Sequence, residues 1–187
     1  MAVRSTIARI KEVALRLLVE KGVGETTIRD LAREAGVSEG SLYRHYDSKE
    51  DLVRDLFREH YAQFAHRLQT VQASHKTLRA KLKAIVADTC RRFDDEPITY
   101  RFLLLAQHEA MRRFQPSLDS PVPVLRTMIG QAIKAGEVRL KNPDLGAALV
   151  LGLLIQPAVS IVNGTLAGPM SLHADEIADA AARVLLK

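Results

Sequence analysis

The spacing of apolar positions along the chain predicts an all-α fold of about nine helices. Apolar residues recur every three or four positions through most of the sequence, which places them on one face of a helix. No stretch shows the strict alternation expected of a half-buried strand. The predicted helices span about 6–21, 27–35, 38–46, 49–73, 77–93, 98–114, 123–135, 145–167 and 174–186.

Two of these helices are short and are joined by a tight turn, within about 27–46. Thr27 is a good N-cap residue, and Asp30 stands three positions later, where a capping box has its acid. Gly36 supplies the left-handed residue that ends the first helix, and Ser38 caps the second. This arrangement predicts a helix-turn-helix, whose second helix enters the DNA major groove. An ordinary helical hairpin within a bundle is the alternative.

The second short helix carries side chains that suit contact with DNA. Hydroxyl, guanidinium and imidazole groups can donate hydrogen bonds to base edges and phosphates. Gly40 lets the backbone come close to the duplex. Lys49 begins the next helix, where a cation and free backbone N–H groups can hold one phosphate together. The candidate donors are Ser41, Tyr43, Arg44, His45 and Tyr46.

The segment TTIRDLAREAGVSEGSLYRHYDSKEDL, preceded by an amphipathic helix that ends in EKG, resembles the DNA-binding signature of the TetR family of bacterial transcriptional regulators. The resemblance covers roughly the first third of the chain and implies a DNA-binding domain over residues 3–63. The remainder matches only the general plan of the family, which implies a helical ligand-binding and dimerisation domain over residues 74–187.

The resemblance also implies roles for individual residues. Phosphate contacts are expected from Thr27, His45, Tyr46 and Lys49. Base contacts are expected from Arg29, Glu39, Gly40, Ser41, Tyr43 and Arg44. A carboxylate at Glu39 can only accept a hydrogen bond, for example from the amino group of cytosine.

Net charge adds little to the case for DNA binding. The chain has 187 residues and a formal charge of +5, but residues 1–60 hold eleven basic and eleven acidic residues. Only the placement of particular cations in this part can therefore favour DNA. Cys90 is the single cysteine, which fits a reducing compartment, and the first residues lack an apolar signal core. We therefore expect a cytoplasmic protein.

The stretch 145–167 has no charged residue and is long enough to span a bilayer. Its glycines and polar residues favour a dimer interface over a transmembrane helix, and Pro157 is expected to kink or split the helix. The family resemblance implies that this helix and the last one form a four-helix bundle between two subunits. The expected interface residues are Leu145, Ala148, Gly152, Leu153, Ile177, Ala181 and Leu185.

A small-molecule pocket is expected among the helices between about 77 and 135, which mix bulky apolar residues with isolated polar ones. Its candidate lining residues are Phe93, Tyr100, Leu104, His108, Met111 and Met128. We find no nucleotide-binding, hydrolase or zinc-protease motif, so no catalytic residue, cofactor or metal ligand is predicted.

Together, these features predict a homodimeric repressor that binds a pseudo-palindromic operator and is released by an unidentified small ligand. A regulator of the same fold that acts through a protein partner, or a helical enzyme, remain the alternatives.

Overall fold

The structure, a computed structural model, describes residues 6–113 and 120–186, and for residues 108–113 it describes the backbone only. The described residues form nine α-helices, as the apolar spacing predicts, and one 3₁₀ turn, Met170–His173. The helices are α1 (Thr6–Glu20), α2 (Ile28–Ala35), α3 (Glu39–Tyr43), α4 (Lys49–Ala73), α5 (Leu78–Asp95), α6 (Pro97–Arg113), α7 (Pro121–Lys134), α8 (Pro143–Val162) and α9 (Ala174–Leu185).

The described residues fall into two compact units. The first takes its members from Met1–His60 and Ile98–Gln115, and the second from Tyr61–Pro97 and Pro116–Lys187. Helix α4 contributes residues to both units, because it continues without a break from Lys49 to Ala73. The domain limits predicted from the sequence remain predictions.

The first unit is built around the apolar stripe of α1. Ile10, Ala14 and Leu18 are fully buried, and Leu31 of α2 and Leu52 of α4 are fully buried as well. The loop between α1 and α2 is fixed by a buried polar group, the Thr26 hydroxyl, which donates to the carbonyl of Gly22 at 2.8 Å. Satisfying that hydroxyl internally removes the cost of burying it, so the loop that leads into α2 is held firmly.

The second unit contains two closely packed helix pairs, α5 with α9 and α7 with α8. A Cβ atom placed on Gly146 of α8 would lie 3.0 Å from Cγ2 of Ile129 on α7, so any larger residue would require the Ile129 side chain to shift. The small residues at the start of α8 therefore serve a contact within the chain. Asp94 accepts hydrogen bonds from the backbone N–H groups of Met170 and Ser171, at 2.7 and 2.9 Å, and thereby holds the 3₁₀ turn.

Helix α8 differs from its prediction at its C-terminal end. It stops at Val162, with Asn163 as its C-cap, because Gly164 takes a left-handed conformation with φ of 72°. The prediction that it extends to Ala167 was therefore wrong. Pro157 lies inside the helix and does not divide it into two.

By length and composition alone, α8 is the one helix among the described residues that is apolar enough to cross a membrane, and 33% of its most apolar window is buried. One such helix is weak evidence for membrane insertion, because core helices of folded proteins pass the same test.

The single cysteine lies in the core of the second unit. Cys90 of α5 is 0% exposed, and burial raises the pKa of its thiol to about 11. It is a protonated, inaccessible thiol in the folded protein.

Candidate nucleic-acid interface

Helix α2 begins in a complete capping box. The Thr27 hydroxyl accepts the Asp30 backbone N–H at 3.1 Å and donates to Asp30 Oδ2 at 2.8 Å, and the Thr27 N–H donates to the same carboxylate at 3.2 Å. The hydrogen bond from the Thr27 side chain, with the backbone bond and Lys21, lowers the pKa of Asp30 to about 2. The start of α2 is thus fixed by a carboxylate that stays ionised.

The turn after α2 is short and well hydrogen-bonded. Gly36 has a φ of 61° and its N–H bonds back to α2, and Val37 donates to the Ala32 carbonyl at 3.0 Å. Ser38 then caps α3, because its side chain accepts the Ser41 N–H at 3.1 Å. Leu42 is fully buried and fixes α3 to the unit. The helix-turn-helix predicted from the spacing is therefore present.

The outer side of α3 is open to solvent. Tyr43 is 51% exposed, and Ser41 is half-buried. A Cβ atom on Gly40 would meet no heavy atom within 4 Å, so this glycine leaves free space on the outer surface. The remaining predicted base-contacting residues, Arg29 on α2 and Glu39 and Arg44 at the two ends of α3, are exposed, as is His45. A set of exposed donors is thus carried on a buried, capped scaffold.

Two of the predicted phosphate-contacting residues are already engaged within the protein. Lys49 donates from Nζ to the carbonyls of Val23 at 2.7 Å and Gly24 at 3.3 Å. An ammonium group has three donors, so one N–H is left for a phosphate. The Thr27 hydroxyl is exposed but is shared with Asp30 in the capping box.

Tyr46 departs from its predicted role. We predicted a phosphate contact, but its side chain is only 8% exposed and its hydroxyl donates to Asp55 Oδ2 at 2.8 Å. The structure therefore buries this phenol in the first unit, with its hydroxyl bonded within the protein. Lys11 joins the same carboxylate, with Nζ at 2.8 Å from Asp55 Oδ2.

Sequence reasoning missed this link between Lys11, Tyr46 and Asp55. The three residues lie on α1, just after α3 and on α4, and no local spacing signals a contact between them. The only available signal was the pair Asp55 and Glu59, one helical turn apart, which offers two carboxylates to one cation.

The predicted ligand-contacting residues are distributed over both units. Phe93 and Met128 are buried in the second unit at 6% and 3% exposure. Tyr100 and Leu104 are half-buried residues of the first unit. The side chains of His108 and Met111 lie outside the described residues. This set therefore stays a prediction.

The predicted dimer residues divide into two groups. Leu145, Ala148 and Gly152 lie on an exposed side of α8, and Leu153 is half-buried. The three residues predicted on α9 are instead buried within the second unit. Ile177, Ala181 and Leu185 are exposed by 8%, 1% and 0%. Their apolar face is covered by the unit's own helices, chiefly α5, so a role of these residues in a dimer stays a prediction.

No group of three histidine, cysteine or acidic side chains in the described ranges is placed to hold a metal ion. A capped helix pair whose second helix presents exposed donors defines the helix-turn-helix class of proteins.

The profile of the family described as "Bacterial regulatory proteins, tetR family" matches residues 10–56, which include α2, α3 and the start of α4. Residues 10–56 are therefore similar to the DNA-binding part of TetR-family regulators.

Comparison with individual proteins agrees with this similarity. The chain is 36% identical over 83 residues to the HTH-type transcriptional repressor KstR2 of Rhodococcus jostii (strain RHA1), covering 44% of this chain and 41% of that protein. It is 22% identical over 140 residues to the fatty acid metabolism regulator protein of Bacillus subtilis (strain 168), covering 73% of this chain and 72% of that protein. The chain thus matches less than half the length of the KstR2 relative.

The fold extends beyond the matched sequence. The crystal structure of the transcriptional regulator FadR from Bacillus subtilis, in complex with stearoyl-CoA, superposes with a TM-score of 0.80. The two share 17% sequence identity, and the superposition covers 95% of this chain and 98% of that one. The likeness shows that this fold extends over the described residues of both units and not only over the N-terminal part.

Proposed function

We propose that this protein is a homodimeric, sequence-specific DNA-binding transcriptional regulator that acts as a repressor in the cytoplasm, and that it is not an enzyme. The observation that carries the proposal is the exposed outer side of α3 on a capped, buried helix pair. The similarity to TetR-family regulators supports it, because the matched profile covers this pair of helices.

On this proposal, phosphates are held by residues at the edges of the helix pair and bases are read from its centre. Lys49 and His45, with Thr27, hold the backbone of the duplex. Tyr43, Arg44 and Arg29 donate to base edges, and Ser41 and Gly40 allow close approach. Glu39 accepts from a base amino group.

We propose that the exposed side of α8 forms the dimer contact. Leu145 is 49% exposed, and Ala148 and Gly152 continue the same side, where small residues let a second helix approach closely. Gln156 is exposed one turn beyond Gly152, which favours a protein partner over lipid. A two-fold dimer presents two α3 helices, so the operator should be pseudo-palindromic with half-sites about 34–36 Å apart.

We propose that a small ligand releases the protein from DNA. Support comes from the similarity to a fatty acid metabolism regulator and to the fold of a FadR bound to stearoyl-CoA. A long-chain acyl-CoA is therefore the first ligand class to test. If no acyl-CoA or other small molecule changes DNA binding, a regulator that acts through a protein partner becomes the better explanation.

The test of DNA recognition starts from a random duplex library. Rounds of selection with the wild-type protein should yield one enriched, pseudo-palindromic sequence. Arg44→Ala should then lose about 1–3 kcal/mol on the selected duplex and little on a scrambled one, because a bidentate base contact is specific to its base. Titrations on both duplexes at several salt concentrations measure this difference.

The matched control is Arg183→Ala, which removes an exposed arginine from α9 in the second unit. It should leave affinity for both duplexes unchanged. An equal loss on both duplexes for Arg44→Ala would assign Arg44 to phosphate binding, and failure to enrich any sequence would contradict sequence-specific recognition.

A further inference from the structure

A polar cluster in the first unit joins three separate segments of the chain. The Tyr46 hydroxyl donates to Asp55 Oδ2 at 2.8 Å, and Lys11 Nζ lies 2.8 Å from that same oxygen. Lys11 also donates to Glu59 Oε2 at 2.7 Å. We call Lys11, Tyr46, Asp55 and Glu59 the Tyr46 cluster. It connects α1, the residues just after α3, and α4.

This cluster differs from an ordinary surface ion pair. The Lys11 side chain is 25% exposed and the Tyr46 residue 8% exposed, so these two donors are largely shielded, whereas the Asp55 and Glu59 carboxylates are 40% and 43% exposed. Every bond in the cluster involves an ionised partner, and such bonds are shorter and stronger than neutral ones. The cluster is therefore a firm attachment between the three segments.

The protonation states keep the cluster intact over a wide pH range. Burial and the hydrogen bond to Asp55 raise the pKa of Tyr46 to about 12, so its hydroxyl remains a donor. Partial burial acts to raise the pKa of Asp55, but hydrogen bonds from Lys11 and Tyr46 outweigh it and hold that pKa below its usual value. Asp55 thus remains an acceptor.

The attachment acts directly on the end of α3. The backbone N–H groups of His45 and Tyr46 both donate to the carbonyl of Leu42, at 2.9 and 3.1 Å, so these residues continue the last turn of the helix. The buried Leu42 side chain fixes the middle of α3. The Tyr46 hydroxyl fixes its C-terminal end, where Tyr43 and Arg44 face solvent.

We propose that the Tyr46 hydroxyl is a positioning group for DNA readout, fastening the C-terminal end of α3 to α4 through Asp55 and Lys11 and so setting the sequence selectivity of Tyr43 and Arg44. This inference rests on the proposed DNA-binding function. A phenylalanine at this position fills the same apolar space but leaves the end of α3 free to rock against α4. If Tyr43 and Arg44 sample several orientations, they lose specific contacts with bases, while non-specific phosphate binding persists.

Selectivity is the readout that separates positioning from simple stabilisation. Selectivity here is the ratio of affinities for the duplex that wild-type protein selects from a random library and for a scrambled duplex. Tyr46→Phe should lower affinity for the selected duplex roughly three- to tenfold, the equivalent of one hydrogen bond. Affinity for the scrambled duplex should not change.

Two further variants sharpen the test. Tyr61→Phe removes the same atom from a tyrosine of α4 outside the cluster, and it should keep wild-type selectivity. Asp55→Ala removes the acceptor and should lower selectivity by an independent route. Both changes remove the same hydrogen bond, the one between Tyr46 and Asp55. Adding Tyr46→Phe to Asp55→Ala should therefore lower selectivity no further.

The outcomes distinguish this inference from the function on which it rests. If Tyr46→Phe lowers the unfolding temperature but keeps the wild-type affinity ratio well below that temperature, the hydroxyl is only structural and the inference is overturned. If the wild-type protein itself prefers no duplex, the proposed function fails first, and the inference falls with it.

Discussion

At the scale of single residues, two tyrosines three positions apart, at the end of α3 and just after it, have different surroundings. Tyr43 is 51% exposed and faces solvent, whereas Tyr46 is 8% exposed and bonds Asp55. Tyr46 lies just after the last residue of α3, where its backbone N–H continues the final turn of the helix. The Asp55 bond holds the Tyr46 side chain inward, so the two tyrosines differ in exposure although their chemistry is identical.

Gly40 offers a test of how closely the duplex approaches α3. Gly40→Ala meets no atom within 4 Å in the free protein, and helical alanine is favoured over glycine by about 0.5–1 kcal/mol. The variant should therefore be at least as stable as wild type but bind the selected duplex more weakly. Thermal unfolding and DNA titration together check this, and unchanged affinity would show that the backbone at Gly40 stays clear of the DNA.

Asp30 should make the start of α2 sensitive to acid. Its pKa is about 2 in the folded protein, against 3.8 for an unperturbed carboxyl, so it favours the folded state above pH 3.8. That contribution is lost as the pH falls from about 4 to about 2. Asp30→Asn should be less stable than wild type at neutral pH, with the difference narrowing over this range. Thermal unfolding followed by circular dichroism at several pH values measures it.

The control is Asp179→Asn, which changes an exposed carboxyl of α9 that forms a surface ion pair with Arg79, at 3.9 Å, and belongs to no capping box. Its pH profile should run parallel to that of wild type. A constant difference between Asp30→Asn and wild type from pH 6 to pH 2 would contradict the assigned role of the carboxylate charge.

At the scale of helices, α8 has one side for its own unit and one side left open. Gly146, Val150 and Leu154 are buried, and Gly146 lies against Ile129 of α7. Leu145 and Gly152 lie on the exposed side. An apolar stripe on each side explains why the helix has almost no polar residues although it lies at a surface.

A charge placed on the open side of α8 tests the dimer. A Cβ atom added at the exposed Gly152 meets no atom within 4 Å, so the single chain of Gly152→Glu should fold normally. In a dimer joined through this side the new carboxylate would be buried without a partner, at a cost of several kcal/mol, and dimerisation should fail. Sedimentation velocity gives the oligomeric state.

Gly24→Glu is the matched control, because Gly24 is also an exposed glycine with no atom near its Cβ position. It lies in the loop before α2 and should leave the oligomeric state unchanged. A dimeric Gly152→Glu protein would place the interface on another surface.

The positions of the helices could be predicted closely from the sequence. What each helix face packs against could not. Thr27, Ser38 and Thr77 mark helix starts because their side chains satisfy backbone N–H groups locally. The face of α9 that carries Ile177 and Leu185 was recognised as apolar but was assigned to a partner subunit. Periodicity identifies a buried face without identifying what covers it, and in the single chain the unit's own helices cover this one.

The same limit applies to Tyr46. Its hydroxyl has the donor chemistry of a phosphate contact, and only the fold brings Asp55 and Lys11 to it. Local sequence cannot distinguish a donor that faces DNA from one that is satisfied internally. Contacts between distant segments are the information that single-sequence reasoning lacks.

At the scale of the whole molecule, the proposed regulation requires reciprocity between DNA and ligand. If stearoyl-CoA releases the protein from its selected duplex, then the duplex must weaken stearoyl-CoA binding by the same factor. A shift from one per cent to ninety-nine per cent released requires a preference of about 5.5 kcal/mol between the two states. Calorimetric titration of stearoyl-CoA with and without the duplex measures the factor.

A scrambled duplex at the same concentration is the control, and it should leave ligand affinity unchanged. Equal affinity for stearoyl-CoA with and without the selected duplex would mean that this ligand does not regulate DNA binding. Absence of binding would direct the search to other ligands or to a protein partner.

The inaccessible thiol of Cys90 can report how often the second unit opens. A disulfide reagent can modify this single cysteine only during moments when the surrounding helices open, so the modification rate counts those openings. No added dye or engineered label is needed. A molecule that binds the closed form of this unit lowers the rate of Cys90 modification in proportion to its occupancy. Candidate ligands can therefore be ranked by how much they lower this rate.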